Sequence, residues 1–246
     1  MSCHAGIRVR VHLAAARAAA GLGRADGPDR RGGGPGRRTG PRQAPGSGGR
    51  PDRAGKTSFG HELAAALRAR GRPTLRASLD DFKHPWRHAR EHGYDRVSGA
   101  GYYRNAYDFR AARDLLLRPA GPAGSGQVAL CAFDPLTGAD HRGVTVTAPP
   151  GSVLIVDSVF AFRPEYDDCW EYRIWLDVDP GTALRRGIAR DSAAEGEEEA
   201  ARVHRDRYHV AEASYLAEAR PKARADVIID NRDFARPAII GPPEGR

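Results

Sequence analysis

The tripeptide Gly55-Lys56-Thr57, which stands directly before a helical pattern, constrains the fold of this chain more than any other feature. Gly-Lys-Thr at the start of a helix is typical of a phosphate-binding loop, in which backbone N–H groups surround an anion. The lysine reaches the outer phosphates, the threonine hydroxyl holds Mg²⁺, and the helix adds the positive end of its dipole. The residues expected to contact the phosphates are Arg53, Ala54, Gly55, Lys56, Thr57 and Ser58. The pattern therefore predicts a nucleoside triphosphate as ligand.

The loop departs from the full pattern at one position. A glycine is expected five residues before Gly55, and Arg50 stands there instead. Glycine serves at that point because the turn needs a backbone without a Cβ atom. The alternative is an ordinary helix start whose lysine faces solvent.

Length and cysteine content indicate one cytoplasmic domain. A chain of 246 residues can bury a sizeable core. Its three cysteines, Cys3, Cys131 and Cys169, are far apart and lack metal or redox spacing, which is typical of a reducing compartment. No apolar run approaches the roughly 20 residues of a membrane span, so no membrane partner is expected.

The net charge of +8 comes from the N-terminal segment alone. Residues 1–50 hold ten arginines and two acidic residues, and basic and acidic side chains are equal in number over residues 51–246. A basic footprint for DNA or RNA would therefore have to lie on this segment alone, and no nucleic-acid partner is expected.

Residues 1–49 consist mostly of glycine, alanine, arginine and proline, and such a segment is expected to be a disordered tail before a domain at residues 50–240. The alternation of Ile7, Val9, Val11 and Leu13 could form a strand, but it stands alone. A phosphate-binding loop normally follows a buried strand, and residues 39–50 contain no apolar run. The first strand is thus expected to be missing or replaced. A shifted reading frame in a G/C-rich gene, or a misassigned start, would produce this composition.

From residue 51 onward, apolar runs alternate with helical patterns. Phe59, Leu63 and Leu67 share one helical face, and Gly71 can end that helix. Further helices are predicted at 108–117, 180–190 and 197–218, and strands at 73–78, 127–133, 144–147, 152–157, 172–177 and 226–230. This alternation predicts an α/β fold with a parallel sheet flanked by helices.

Two predicted strands end in acidic residues. Asp80 and Asp81 follow the strand at 73–78, and Asp157 ends the strand at 152–157. Ligands of parallel sheets bind at the carboxyl ends of the strands, and phosphoryl transfer needs a cation, a metal and a carboxylate. Each acid alone could also be a turn or a helix cap.

Six segments occur in a characteristic order: residues 55–57, 78–82, 101–108, 153–157, 190–191 and 205–208. Together they resemble the uridine kinase and phosphoribulokinase branch of the P-loop kinases, over roughly residues 50–237. The resemblance implies an ATP-dependent, Mg²⁺-dependent kinase whose acceptor is a small molecule such as a uridine-like or cytidine-like nucleoside. A homodimer is compatible with it.

The resemblance also implies roles for the acids. Asp80 would be the base toward the acceptor hydroxyl and would lie near Mg²⁺, with Asp81 beside it on the acceptor side. Asp157 would hold Mg²⁺ through water, together with Thr57.

The remaining roles concern the acceptor and a mobile lid. Tyr103 and Arg104 would face the acceptor. Arg190 and Arg207, with Arg186 and Arg205, would belong to the lid and steady the transferred phosphoryl group. These arginines could instead form a solvated helix face balanced by nearby glutamates.

Two further interpretations stay open. His84 and His88 are four residues apart, but Pro85 disfavours a regular helix there, so surface or substrate-side histidines are favoured over a zinc site. The incomplete loop keeps a second function in view: a catalytically impaired P-loop relic or nucleotide-binding module from a frame-shifted or misassigned reading frame.

Overall fold

A six-stranded mixed sheet organises the chain. The computed structural model describes residues 5–11 through their backbone, and residues 55–134 and 137–241 in full. The described strands are β1 Ala5–Val11, β2 Thr74–Ser78, β3 Gln127–Val128, β4 Val146–Thr147, β5 Val153–Ser158, β6 Tyr172–Asp177, β7 Val227–Asp230 and β8 Ala238–Gly241. The sheet order is β2-β5-β1-β6-β7-β8, and β3 pairs with β4 in a separate two-stranded ribbon.

Helices cover both faces of this sheet. They are α1 Lys56–Ala69, α2 Trp86–Glu91, α3 Gly99–Asn105, α4 Phe109–Ala111, α5 Pro180–Glu195, α6 Glu197–Val203 and α7 Val210–Ala219. A π-helical turn at Ala112–Leu117 extends α4, and another at His204–His209 joins α6 to α7. The helix predicted at 197–218 is therefore one continuous element. No helix in the described part of the chain has the length and apolar character needed to cross a membrane.

The α/β fold class is confirmed. β2 runs parallel to β5, and β6 runs parallel to β7. All six residues of β5 are buried, as a continuous apolar run predicts for a strand covered on both faces. The sequence did not predict β8, which pairs antiparallel with β7 and makes 226–230 the penultimate strand.

Alternate side chains of β5 belong to two different hydrophobic cores. Leu154 and Val156 belong to the larger cluster with α3 and α7, while Val153 and Ile155 belong to a smaller cluster beneath α1. Successive side chains of a strand point to opposite faces, so one strand serves both layers. The carboxyl end of β5 is thereby held rigidly from both sides.

The centre of the sheet is filled by β1. It pairs antiparallel with both β5 and β6, with Ile7 opposite Asp157 on one side and opposite Ile174 on the other. The expected first strand is thus replaced, because β5 and β6 would otherwise present unpaired backbone groups. The predicted disorder of residues 1–49 does not hold for Ala5–Val11; the other tail residues lie outside the described part, and the boundary at residue 50 remains a prediction.

Candidate functional site

The helix α1 begins with a glycine that its surroundings require. Gly55 has φ +75°, in the left-handed region that favours glycine. A Cβ atom there would lie 2.6 Å from a ring carbon of Phe234 and 2.8 Å from the amide nitrogen of Asn231. Lys56, the next residue, is the first of α1 and is buried. The predicted loop end therefore has the tight turn that a phosphate-binding loop needs.

A buried carboxylate joins α1 to the end of β5. The Asp157 side chain is only 4% exposed, and its Oδ2 accepts a hydrogen bond of 3.0 Å from the Thr57 hydroxyl. Its Oδ1 accepts a second bond of 2.7 Å from Nη2 of Arg76. Burial raises the pKa of Asp157, and the Arg76 and Lys56 charges oppose that rise without cancelling it.

Arg76, which sequence reasoning did not single out, forms an ion pair with Asp157. It lies in β2, its side chain is 12% exposed, and its guanidinium is 3.4 Å from the Thr57 carbonyl oxygen. Nε and Nη1 have no hydrogen-bond acceptor among the described residues. A Cβ atom on Gly60 would lie 2.1 Å from Nη1, so this helix glycine makes room for the guanidinium. The sequence did contain a signal for this contact, namely an arginine inside the short strand Thr74–Ser78. A charged side chain that is buried in a sheet needs a partner.

Asp80 lies in a short 3₁₀ turn, Leu79–Phe82, directly after β2. Its Oδ1 accepts a bond of 2.6 Å from the Tyr107 hydroxyl and lies 3.3 Å from Nζ of Lys83. Burial alone would raise the pKa of Asp80, but the Lys83 charge, the Tyr107 bond and the Lys56 charge together lower it. Asp80 is therefore held as an anion.

Five predicted residues line one cavity of about 130 Å³. Lys56, Thr57, Asp80 and Asp157 all line it, as does Arg190 from α5. Its remaining wall is formed by Lys83, Tyr102, Val159, Phe160 and Tyr208. The lysine, the hydroxyl and the two strand-end carboxylates thus converge, as the chain order suggested.

A larger cavity of about 540 Å³ adjoins the first. Asp80 and Lys83 line both cavities, so they lie at the boundary. The larger cavity alone is lined by Asp81, His84, Pro85, Trp86, Arg87, Arg96, Phe133, Asp134, Thr137 and Gly138. Asp81 therefore lies in the wall of the larger cavity, which Lys56 and Thr57 do not line.

Tyr103 does not reach either cavity. It is buried in the core, its hydroxyl donates a bond of 2.8 Å to Glu218, and Arg163 lies 4.0 Å from its ring centre. Its neighbour Tyr102 lines the smaller cavity instead, because successive residues of a helix point about 100° apart. Arg104 is exposed and lines neither cavity.

The four predicted lid arginines do not lie together. Arg190 lines the smaller cavity and makes two bonds to Asp191, whose Oδ2 is 2.7 Å from Nε2 of the buried His204. Arg207 donates to the Val97 carbonyl oxygen and lines neither cavity.

The other two arginines lie farther away. Arg186 packs on the Phe234 ring at 3.8 Å, and the exposed Arg205 pairs with Asp206.

The remaining predicted contacts are as follows. Ser58 is exposed, and Arg53 and Ala54 lie outside the described residues. His84 and His88 approach to 3.2 Å between their Nδ1 atoms, yet no group of three metal-binding side chains occurs in the described part of the chain. His84 also lines the larger cavity.

The oxygen donors of the smaller cavity fit Mg²⁺. A hydroxyl and two carboxylates are the hard ligands that this ion prefers. Oδ2 of Asp80 makes no hydrogen bond to any described residue, although the side chain lies in a wall that contains Lys56 and Thr57. Thr57, Asp80 and Asp157 therefore form a consistent donor set.

Comparison with known proteins supports the fold. The sequence matches no protein-family model and no curated protein. The structure is similar to a crystal structure described as a "putative fructose transport system kinase" from Silicibacter sp. TM1040. The TM-score is 0.55 at 21% sequence identity, over 72% of this chain and 89% of the other. With the sheet and the start of α1, this similarity supports an α/β fold of the P-loop kinase type.

Proposed function

We propose that this chain is an ATP-dependent phosphotransferase that moves the γ-phosphate to a hydroxyl group of a small molecule. The observation that carries the proposal is the convergence of Lys56, Thr57, Asp80 and Asp157 on one cavity at the N-terminus of α1. Phosphoryl transfer depends mainly on positioning and on neutralising charge, and these groups supply both. The similar structure is described as a kinase, which agrees with this class.

Each side chain has a distinct task in this proposal. Lys56 and the first N–H groups of α1 bind the β- and γ-phosphates. Thr57, Asp80 and Asp157 hold Mg²⁺, which would supply charge neutralisation on the phosphate oxygens. Arg190 stabilises the phosphoryl group in transfer, since its guanidinium is anchored by Asp191 beside the same cavity.

The acceptor binds in the larger cavity. It meets the phosphate cavity at Asp80 and Lys83, so a hydroxyl bound there can approach the transferred phosphate. Trp86 and Phe133 provide aromatic surface, and Arg96 lies 4.4 Å from the Trp86 ring centre. This wall suits a nucleoside of the uridine or cytidine type, or a related planar molecule.

A second candidate is a nucleotide-binding module without transferase activity. It is favoured by β1, which runs antiparallel to its neighbours and so differs from a strand that leads straight into a phosphate loop. Arg50 at the expected glycine position agrees with this candidate. In that case the chain binds Mg-ATP and phosphorylates no acceptor.

Thermal unfolding with Mg-ATP tests the binding step common to both candidates. A ligand that binds only the folded state stabilises it by about 2.7 kcal/mol at 100 times its Kd. We expect a higher Tm for the wild-type chain and no shift for Lys56→Ala. Lys222→Ala is the matched control, because that lysine is half exposed and pairs with Asp177 away from the cavity. An unshifted wild-type Tm at millimolar Mg-ATP would contradict both candidates.

A coupled ADP-release assay over nucleosides, sugars and hydroxy acids separates the two candidates. Acceptor-dependent ADP release that Lys56→Ala abolishes supports the kinase. Binding without release for every acceptor supports the nucleotide-binding module.

A further inference from the structure

We infer that the acceptor carries a carboxylate or phosphate group in addition to its reacting hydroxyl, and that Arg96 binds this anionic group in the larger cavity. The inference rests on the proposed function and narrows its acceptor, since the family resemblance assigned no role to Arg96. It is carried by a buried guanidinium that has no acidic partner among the described residues.

Arg96 is a buried charge without a carboxylate. Only 4% of the residue is exposed. Its Nη1 donates to the His84 carbonyl oxygen, and its Nε has no hydrogen-bond acceptor among the described residues. No described carboxylate forms an ion pair with it; the nearby Asp80 and Asp108 approach Lys83 and His84 instead. Buried charges in proteins are normally paired, because an isolated one is costly to remove from water. A bound anion would supply the partner that the described residues do not.

The guanidinium of Arg96 is held in a fixed orientation. Its Cζ atom lies 4.4 Å from the ring centre of Trp86, so the two planes are in contact. The hydrogen bond from Nη1 to the His84 carbonyl oxygen restrains it from a second side. A guanidinium that is fixed in this way is well suited to bind a carboxylate or a phosphate through two parallel hydrogen bonds.

Arg96 lies in a different part of the site from the phosphate cavity. It lines the larger cavity only, whereas Asp80 and Lys83 line both cavities. The larger cavity, of about 540 Å³, has the size of a small-molecule site. One acceptor can therefore place its anionic group at Arg96 and its hydroxyl near Asp80. Two such contacts would orient the acceptor toward the phosphate that is transferred.

The other charged groups of this wall do not replace Arg96. Acidic and basic side chains are equal in number there: Asp80, Asp81 and Asp134, and Lys83, Arg87 and Arg96. Lys83 lies 3.3 Å from Asp80, and Arg87 is exposed to water. Since the wall has no net charge to attract anions in general, selectivity would depend on the single contact with Arg96.

The first test measures binding without turnover. Trp86 is half exposed and contacts Arg96, whereas Trp170 and Trp175 are buried, so the fluorescence of Trp86 reports on this part of the cavity. The full chain is titrated with matched neutral and anionic compounds. Uridine is compared with uridine 5′-monophosphate and with orotidine, which carries an added carboxylate, and glycerol is compared with glycerate. Trp86→Phe identifies the signal that belongs to Trp86.

We expect the anionic member of at least one pair to bind about 10- to 100-fold more tightly than the neutral member, as hydrogen bonds between charged groups imply. The phosphate and carboxylate pairs distinguish the two kinds of anion. Equal affinities within every pair, or no response to any anionic compound, would overturn the inference.

Substitution of Arg96 assigns the preference to this residue. Arg96→Gln should remove the preference for the anionic compound, and Arg96→Lys should restore only part of it, because lysine lacks the forked donor set. Arg90→Gln is the matched control, since Arg90 is exposed in the nearby α2 and lines neither cavity. A raised Tm with Mg-ATP shows that each variant is folded. If Arg96→Gln does not fold, the partial loss in Arg96→Lys decides; a full preference in either folded variant would contradict the assignment.

The second test is ADP release with the same pairs of compounds. The anionic acceptor should have the higher kcat/KM, and Arg96→Gln should lower that value by about 10- to 100-fold while leaving the value for the neutral acceptor unchanged. Phosphorylation of neutral acceptors alone would overturn the inference and leave the proposed kinase function intact. Anion binding that depends on Arg96, with neither Mg-ATP binding nor ADP release, would support the anion site and contradict the proposed function.

Discussion

Single residues decide the chemistry of this site, and their positions could be predicted only in part. Asp80 and Asp157 were found because both follow apolar strands whose ends meet at one edge of the sheet. Arg76 was missed, since its contact with Asp157 spans two strands and no local pattern encodes it. Tyr103 was predicted to face the acceptor, whereas Tyr102 is the residue that lines the smaller cavity, because the phase of a short helix is set by tertiary packing.

The Arg76–Asp157 pair gives a prediction on stability. Arg76→Leu leaves the Asp157 charge buried with the Thr57 hydroxyl as its one remaining side-chain donor among the described residues, and breaking a buried pair in this way costs about 3 to 5 kcal/mol. Urea denaturation should show this loss. The double variant Arg76→Leu with Asp157→Asn should lose less than the two single effects added together. Strict additivity would contradict the coupling.

Asp81 gives a prediction on the pH dependence of stability. Its pKa rises to about 6 on folding from a reference of 3.8, so the folded state binds more protons than the unfolded chain between these values. Stability therefore falls as the pH rises through this window. Asp81→Asn should be more stable than the wild-type chain at pH 7.5, by up to about 3 kcal/mol, and the gain should vanish below pH 4. An equal gain at both pH values would contradict this.

Helices and strands were predictable where the pattern of apolar residues was long and regular. The run ending at Asp157 predicted β5, and the apolar face of Phe59, Leu63 and Leu67 predicted α1. The helices α2 and α3 were missed because they are short and contain histidine, glycine and tyrosine rather than a periodic apolar face. The strand predicted at 127–133 is only Gln127–Val128, since the following residues bond to the turn at Asp81.

The start of α1 gives a prediction at this scale. Gly55→Ala must adopt φ +75° and also place its Cβ atom against Phe234 and Asn231. Gly71→Ala, just beyond the other end of the same helix, has φ +76° and no atom within 4 Å of its Cβ. The Gly71→Ala control should lose about 1 to 2 kcal/mol of folding stability, because alanine disfavours the left-handed backbone conformation. Gly55→Ala should lose more folding stability than the control, and Mg-ATP should no longer raise its Tm. Equal losses of stability in the two variants would contradict a close contact of residue 55 with Phe234 and Asn231.

The whole molecule depends on a strand that is distant in sequence from the helix it supports. β1 fills the central position between β5 and β6, and α1 packs over β1, β2 and β5. The alternation of Ile7, Val9 and Val11 allowed a strand, but the composition of residues 1–49 favoured disorder, and pairing across more than 140 residues leaves no local trace. The class of fold was predictable, whereas the direction of its central strand was not.

A proline in β1 tests this architecture. Val9 pairs with Ile155 and Tyr172, so Val9→Pro removes a donor in the middle of the sheet. Ile240→Pro is the control, because Ile240 is half exposed in the edge strand β8. Thermal denaturation should show a much larger fall in Tm for Val9→Pro. A similar fall in both variants would contradict a central position for β1.

Calorimetric titration of Mg-ATP into the wild-type chain, Lys56→Ala and Asp157→Asn tests the central claim most directly. The account predicts one site in the wild-type chain, weaker binding when Mg²⁺ is omitted, no measurable binding for Lys56→Ala, and reduced Mg²⁺ dependence for Asp157→Asn. Unchanged affinity in a correctly folded Lys56→Ala would contradict it, because the triphosphate would then lie elsewhere.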